Sequence, residues 1–145
     1  MSRRELYEVL SISPTGTWPR GGLDNGVVGT TETRVKDEIR ADQFFAVDMR
    51  VGRVVHVAEF PQARSPAWKI TVDFGPVGRM RTSAQVVHYP AQELMGRMVI
   101  GAINLPAKRV AGFRSEFLLL GAVGPDGVVR LLEPDEGASA GDPVS

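Results

Sequence analysis

Val47-Asp48-Met49-Arg50-Val51-Gly52-Arg53-Val54-Val55-His56-Val57-Ala58-Glu59-Phe60 is the stretch on which the fold turns. Its valines predict a strand, because branched side chains suit a pleated, half-buried surface. Met49 and Val51 alternate with Asp48 and Arg50, so one face starts out apolar. The phase then slips near Gly52–Arg53, which predicts a bulge or a sharp coil within one long strand.

Downstream, short β-type runs alternate with turn signals. Trp68, Ile70, Val72 and Phe74 alternate with Lys69, Thr71 and Asp73, which predicts a second strand over 68–74. Pro61–Pro66 is a loop and Gly75–Gly78 a turn. Arg79–Gln85 reads as a third strand. Pro90–Met95 reads as a short helix, with proline in its first turn and Gly96 beyond its end. Met98–Asn104 and Phe117–Val123 read as the fourth and fifth strands. Gly124-Pro125-Asp126-Gly127 is a turn, followed by a short strand Val128–Leu132. Three strands, a short helix, then two strands is the layout of an all-β OB-fold, a five-stranded Greek-key barrel with a helix between strands 3 and 4. Periodicity alone also allows an SH3-like barrel; the helix and the long kinked first strand favour OB.

Upstream the text is different. Asp42 reads as the N-cap of a single turn, Gln43–Ala46. Residues 13–34 hold Pro14, Gly16, Pro19, Gly21, Gly22, Gly26 and Gly29, with few large apolar side chains. Such a segment buries too little surface to offset its ordering entropy. Residues 1–41 are therefore expected to be a flexible extension, and 42–145 the domain.

The 145 residues carry 17 basic and 17 acidic side chains, which excludes a uniformly basic nucleic-acid binder but not a basic patch. The balance is uneven. Residues 43–130 hold eleven basic and six acidic groups, whereas 131–145 hold only acids, Glu133, Asp135, Glu136 and Asp142. No cysteine is present, which excludes thiol catalysis, disulfides and cysteine metal sites. The two histidines, His56 and His88, have no metal-binding spacing, and no phosphate-binding glycine loop or nucleophile elbow occurs. These readings lead to a non-enzymatic binding protein with no cofactor and no metal. The longest apolar run, Phe117–Val123, falls well short of the ~20 residues of a membrane span, and no signal peptide is read. The expectation is a cytoplasmic protein without membrane insertion.

Two stretches could carry binding. In Arg79-Met80-Arg81-Thr82-Ser83-Ala84-Gln85, a period of two puts Arg79, Arg81, Ser83 and Gln85 on one face. Basic and hydroxyl groups there suit phosphate or carboxylate contacts. The second stretch is Asn104–Glu116, a connection between two apolar strands that holds Lys108, Arg109 and Arg114. Asn104 and Ser115 stand at its two ends, where a barrel is expected to hold them close enough to read a ligand backbone together. Phe60, Trp68, Tyr89 and Phe113 are candidates for stacking in the groove, with Trp68 better read as core.

The series Asp48-Met49-Arg50-Val51-Gly52-Arg53-Val54-Val55, Phe60-Pro61-Gln62-Ala63-Arg64, Val72-Asp73-Phe74-Gly75, Ser83-Ala84-Gln85, Asn104-Leu105-Pro106 and Ala111-Gly112-Phe113-Arg114-Ser115-Glu116 closely resembles the CsaA proteins. These are small secretion-associated chaperones built on the OB-fold domain shared with structure-specific tRNA-binding proteins and the C-terminal extension of methionyl-tRNA synthetases. The resemblance covers about residues 42–138. It implies a homodimer that binds unfolded preproteins or peptides, with tRNA as the alternative ligand. It also maps the family's strand-three Ser, its Asn and its following Ser onto Ser83, Asn104 and Ser115. The loop after Asn104 departs from the family pattern, with one proline fewer and its basic charge kept in Lys108 and Arg109.

Overall fold

The computed structural model describes residues 34–145. Most of the expected extension, 1–33, lies outside the described residues. Residues 34–40 are exposed and form no regular element. Helix α1 covers Ala41–Phe45. Its N-cap is Arg40 rather than Asp42. The Arg40 backbone N–H donates to Gln43 Oε1 at 2.8 Å, and Asp42 sits in the first turn, where a carboxylate meets the exposed helix N–H groups.

Strand β1 runs Met49–Glu59, β2 Trp68–Asp73 and β3 Arg79–Ala84. They form an antiparallel meander. Helix α2, Ala91–Leu94, follows and buries Leu94. Strand β4, Met98–Ala102, returns to pair with the first half of β1. Then come β5 Lys108–Val110, β6 Phe113–Ser115, β7 Leu118–Leu119, β8 Gly121–Val123 and β9 Val129–Leu131. The main sheet has the order β3-β2-β1-β4-β7. It curls until the chain leaving β6 meets β3, which gives the five-stranded OB barrel with its helix between strands 3 and 4.

Two sequence expectations shift in detail. The expected fifth strand, Phe117–Val123, breaks at Leu120: β7 stays with β4, and β8 leaves to pair with β9. The basic connection after Asn104 is a hairpin, β5 on β6, rather than a loop.

The slip in β1 has two causes. Register shifts between Val54 and His56, so Val55 is the bulged residue, three positions beyond Gly52. Gly52 itself is where β1 rides against the core. A Cβ there would lie 2.8 Å from the Phe74 ring and would meet Val72 as well. Arg53 is shared by both walls, facing Met98 of β4 and Asp73 of β2. A Cβ on Gly101 would likewise lie 2.8 Å from Phe117 and 3.0 Å from Phe74. The space these glycines leave is filled by Phe74 and Phe117, edge to face with centroids 5.0 Å apart. Ile70, Val72, Leu94 and Val99 complete the core around them.

The C-terminal residues close the free edge of β1. Val51 N–H donates to Asp142 O at 2.9 Å, Gly141 N–H to Val51 O at 2.7 Å, and Val144 N–H to Met49 O at 2.9 Å. Arg50 adds a bond from Nη1 to Gly141 O. The edge of an otherwise exposed strand is thereby paired.

Candidate nucleic-acid interface

The outer face of β2 and β3 is set by register. Lys69 stands opposite Ser83, Thr71 opposite Arg81, and Asp73 opposite Arg79. Opposite residues of an antiparallel pair share a face with their side chains about 5 Å apart. Two connections flank this face: residues 60–67, between β1 and β2, and the β5–β6 hairpin. This is the loop-bounded surface on which OB-folds take oligonucleotides.

The two connections touch. Phe60 from one and Phe113 from the other pack with centroids 5.5 Å apart, over Ala67 and beside Ala63 and Val110. This small cluster is separate from the barrel core. Phe60 and Phe113 are only 5% and 9% exposed. They offer no open ring for a base, so the stacking expected of them is replaced by a buried aromatic floor. Cations stand on it. The Lys69 ammonium lies 4.9 Å from the Phe60 centroid and 5.4 Å from that of Phe113. The Arg81 guanidinium lies 4.9 Å from the Phe113 centroid. Each is held by the negative ring face. Among the described residues neither is paired with a carboxylate, whereas Arg79 and Arg114 approach Asp73 and Glu116 at 4.0 and 3.9 Å.

The seam between β3 and the hairpin is closed largely by side chains. Arg81 N–H donates to Glu116 Oε1 at 2.8 Å, and Glu116 N–H donates back to Arg81 O at 2.7 Å. Thr82 Oγ1 donates to Phe117 O at 2.8 Å. A hydroxyl has one proton, so the 2.9 Å contact between Thr82 Oγ1 and Ser115 Oγ is a donation from Ser115. Ser115 Oγ accepts the Ser83 N–H at 3.3 Å. Ser83 Oγ is buried without a hydrogen-bond partner.

These positions separate the expected site residues. Arg81, Ser83, Arg109, Arg114 and Ser115 gather at β3 and the hairpin, with Lys108 opposite Ser115 and Arg109 opposite Arg114. Arg109 Nη1 bonds Gly112 O at 2.9 Å and braces the hairpin tip. Gln85 lies half-buried just past β3. Ser83 and Ser115 are buried, so Ser83 lies covered on the side of the sheet whose open part carries Arg79 and Arg81. Asn104 is not brought to Ser115 by a hydrogen bond. Its Oδ1 accepts from Asp48 N–H at 2.8 Å and its Nδ2 donates to Ala46 O at 2.9 Å. A side-chain amide satisfies two backbone groups in this way, and Asn104 pins the entry of β1. Tyr89 and Trp68 are structural too. Trp68 Nε1 donates to Tyr89 O, and Tyr89 Oη accepts from Leu131 N–H.

Sequence reasoning passed over Lys69. Its signal was the alternation of Trp68–Phe74, which puts it on the outer face, but its floor comes from two distant loops. Among the described residues no group of three or more metal-ligating side chains occurs, and no helix is long and apolar enough to cross a membrane.

Residues 49–143 match the family described as "Putative tRNA binding domain". A CsaA chaperone protein from Picrophilus torridus is 38% identical, with a TM-score of 0.70, over 74% of this chain and 100% of that one. The chaperone CsaA from Bacillus anthracis is 39% identical, with a TM-score of 0.72, over 75% of this chain and 100% of its own. A methionine–tRNA ligase from Porphyromonas gingivalis is 32% identical over 110 residues, 76% of this chain but only 16% of the ligase.

Proposed function

The chain belongs to the tRNA-binding domain family, and from that premise we propose that it is a non-enzymatic binding protein whose cationic barrel face holds the sugar–phosphate backbone of tRNA. The observation that carries this reading is the placement of Lys69 and Arg81, without carboxylate partners, on the buried Phe113 ring. Arg79, Arg109 and Arg114 are exposed around them. The resemblance to the CsaA proteins put polypeptide first. The burial of both phenylalanines supports RNA here, because an apolar peptide needs open apolar surface and this face presents charge. Backbone phosphates are what such a face attracts.

A second reading has its own support. Two CsaA chaperones are aligned over their full length at 38 and 39% identity. On this reading the same face takes unfolded export preproteins or peptides, and either ligand would place the protein in the cytoplasm. In both readings the working unit is an isologous homodimer joined through α1, where Phe44 and Phe45 are 44% and 61% exposed. Light scattering at micromolar protein is expected to give twice the monomer mass; a monomer would remove the dimer from the proposal.

Fluorescence anisotropy with labelled tRNA, and with an unfolded preprotein-derived polypeptide, separates the readings. tRNA binding is expected to weaken steeply between ~50 and ~200 mM salt through counterion release. Polypeptide binding with little salt dependence, and no tRNA binding, overturns the first reading in favour of the second.

A further inference from the structure

The cationic face is not uniform, and three of its groups have unmet chemistry. Lys69 and Arg81 converge on one ring although like charges repel, and among the described residues neither is paired with a carboxylate. The nearby Glu116 is committed, with Oε1 on the Arg81 backbone N–H and Oε2 3.9 Å from Arg114. Ser83 is 1% exposed, and its hydroxyl is the one buried side-chain polar atom among the described residues with no partner. A buried hydroxyl left unpaired is unfavourable. Ser83 lies directly across the ladder from Lys69 and two residues beyond Arg81, so register places all three on one side of the sheet.

Resting on the tRNA reading above, we propose that Lys69, Arg81 and Ser83 form a single phosphate subsite, which seats one phosphodiester of the RNA backbone over the Phe113 ring. Each group supplies a different part. Arg81 brings a planar fork of N–H donors, already oriented by stacking on Phe113. Lys69 brings a compact charge on a flexible stem, held by ring faces alone and thus able to turn to a phosphate oxygen. Ser83 brings a hydroxyl with no partner, directly across the ladder from Lys69, for which a phosphate oxygen would be the acceptor. Donors from three directions suit the oxygens of a tetrahedral phosphate better than the two coplanar oxygens of a carboxylate. The remaining cations, on the hairpin, meet the strand on either side, so this phosphate fixes the register of the RNA on the face.

The test is tRNA binding by the full chain carrying Lys69→Ala, Lys69→Arg or Ser83→Ala, across a salt series, with a thermal melt of each. Lys69→Ala is expected to weaken binding and to flatten the slope of log affinity against log salt by about 0.9, the contribution of one phosphate contact on a duplex. Lys69→Arg keeps the slope. Ser83→Ala is expected to weaken binding about tenfold, as for a hydrogen bond to a charged group, while its melting temperature stays level or rises, because the hydroxyl has no partner to lose. Wild-type affinity in Lys69→Ala and Ser83→Ala, with loss in Arg109→Ala or Arg114→Ala, overturns the subsite and leaves the tRNA reading standing. Failure of the wild-type chain to bind tRNA overturns both. Variants that lose unfolded polypeptide but not tRNA overturn phosphate as the ligand group. Should Ser83→Ala melt lower, the Lys69 slopes alone decide.

Discussion

The barrel is closed at two places, and they are built differently. At the start of β1, residues 141–144 lie along the strand and exchange backbone hydrogen bonds with Met49 and Val51. At the edge of β3, closure depends on Glu116 Oε1, Ser115 Oγ and Thr82 Oγ1, with one backbone bond from Glu116 to Arg81. The first seam uses backbone groups, so side chains matter little to it except at Gly141, whose φ of 97° and whose closeness to Pro76 and to the Phe74 carbonyl leave no room for a Cβ. The second is written in three particular residues, and it lies beside the cationic face. A seam held by side chains is a place where local opening costs less than global unfolding. The hairpin beside the cationic face therefore hangs on the more adjustable of the two joints.

That contrast can be broken by mutation. Removing residues 141–145 strips three backbone bonds and the Arg50 bond to Gly141 from the first seam. A loss of about 2–6 kcal/mol is expected, at roughly 0.5–1.5 kcal/mol for each of the four bonds. By thermal melting this is a fall of more than ~10 °C for a domain of this size. A fall below ~3 °C would show that the segment is an ornament of β1 and not its partner.

Ser115→Ala attacks the second seam. It leaves the Ser83 N–H without its acceptor and Thr82 Oγ1 without its donor, both buried. About 1–3 kcal/mol of destabilisation is expected. Hydrogen exchange should then quicken at the Arg81 and Ser83 amides and stay unchanged at Val51 and Val144. Uniform quickening at all four amides would mean that the two closures open together, and the contrast would disappear.

The smallest effect belongs to the hairpin tip. Ala111 and Gly112 have φ of 48° and 83°, the left-handed pair that a two-residue hairpin turn requires. Alanine is poorly suited to that conformation, and asparagine tolerates it. Ala111→Asn is expected to raise stability by about 0.5–1 kcal/mol in a chemical denaturation curve. No change, or a loss, would argue that the tip is not strained.

This hairpin also marks where reading the sequence ran out. Strands β1 to β4 and helix α2 were legible because branched and apolar side chains recur along them, with clean alternation in β2, and glycine and proline punctuate them. The β5–β6 hairpin has three-residue strands and an Ala-Gly turn in place of Asn-Gly, so it read as a basic loop. The face holding Arg81, Arg109 and Arg114 was legible from charge. The burial of Ser83 was not, because the period of two assigns a side of the sheet but not what later covers it. Asn104 misled for a related reason. Its natural partners, Ala46 and Asp48, lie 58 and 56 residues upstream, and no local pattern connects them.

Gly52, Gly101, Phe74 and Phe117 make one volume divided among four positions. None of the four can drift alone in sequence space. A methyl added at Gly52 must be matched by carbon removed at both Val72 and Phe74, and one at Gly101 by carbon removed at Phe117 and Phe74. The constraint is on a total and not on an identity. Aromatic bulk should therefore be exchangeable between the two phenylalanine positions and the two strands that face them, provided that both partners change together. Gly52→Ala alone should be rejected, and Gly52→Ala with Val72→Ala and Phe74→Leu should fold.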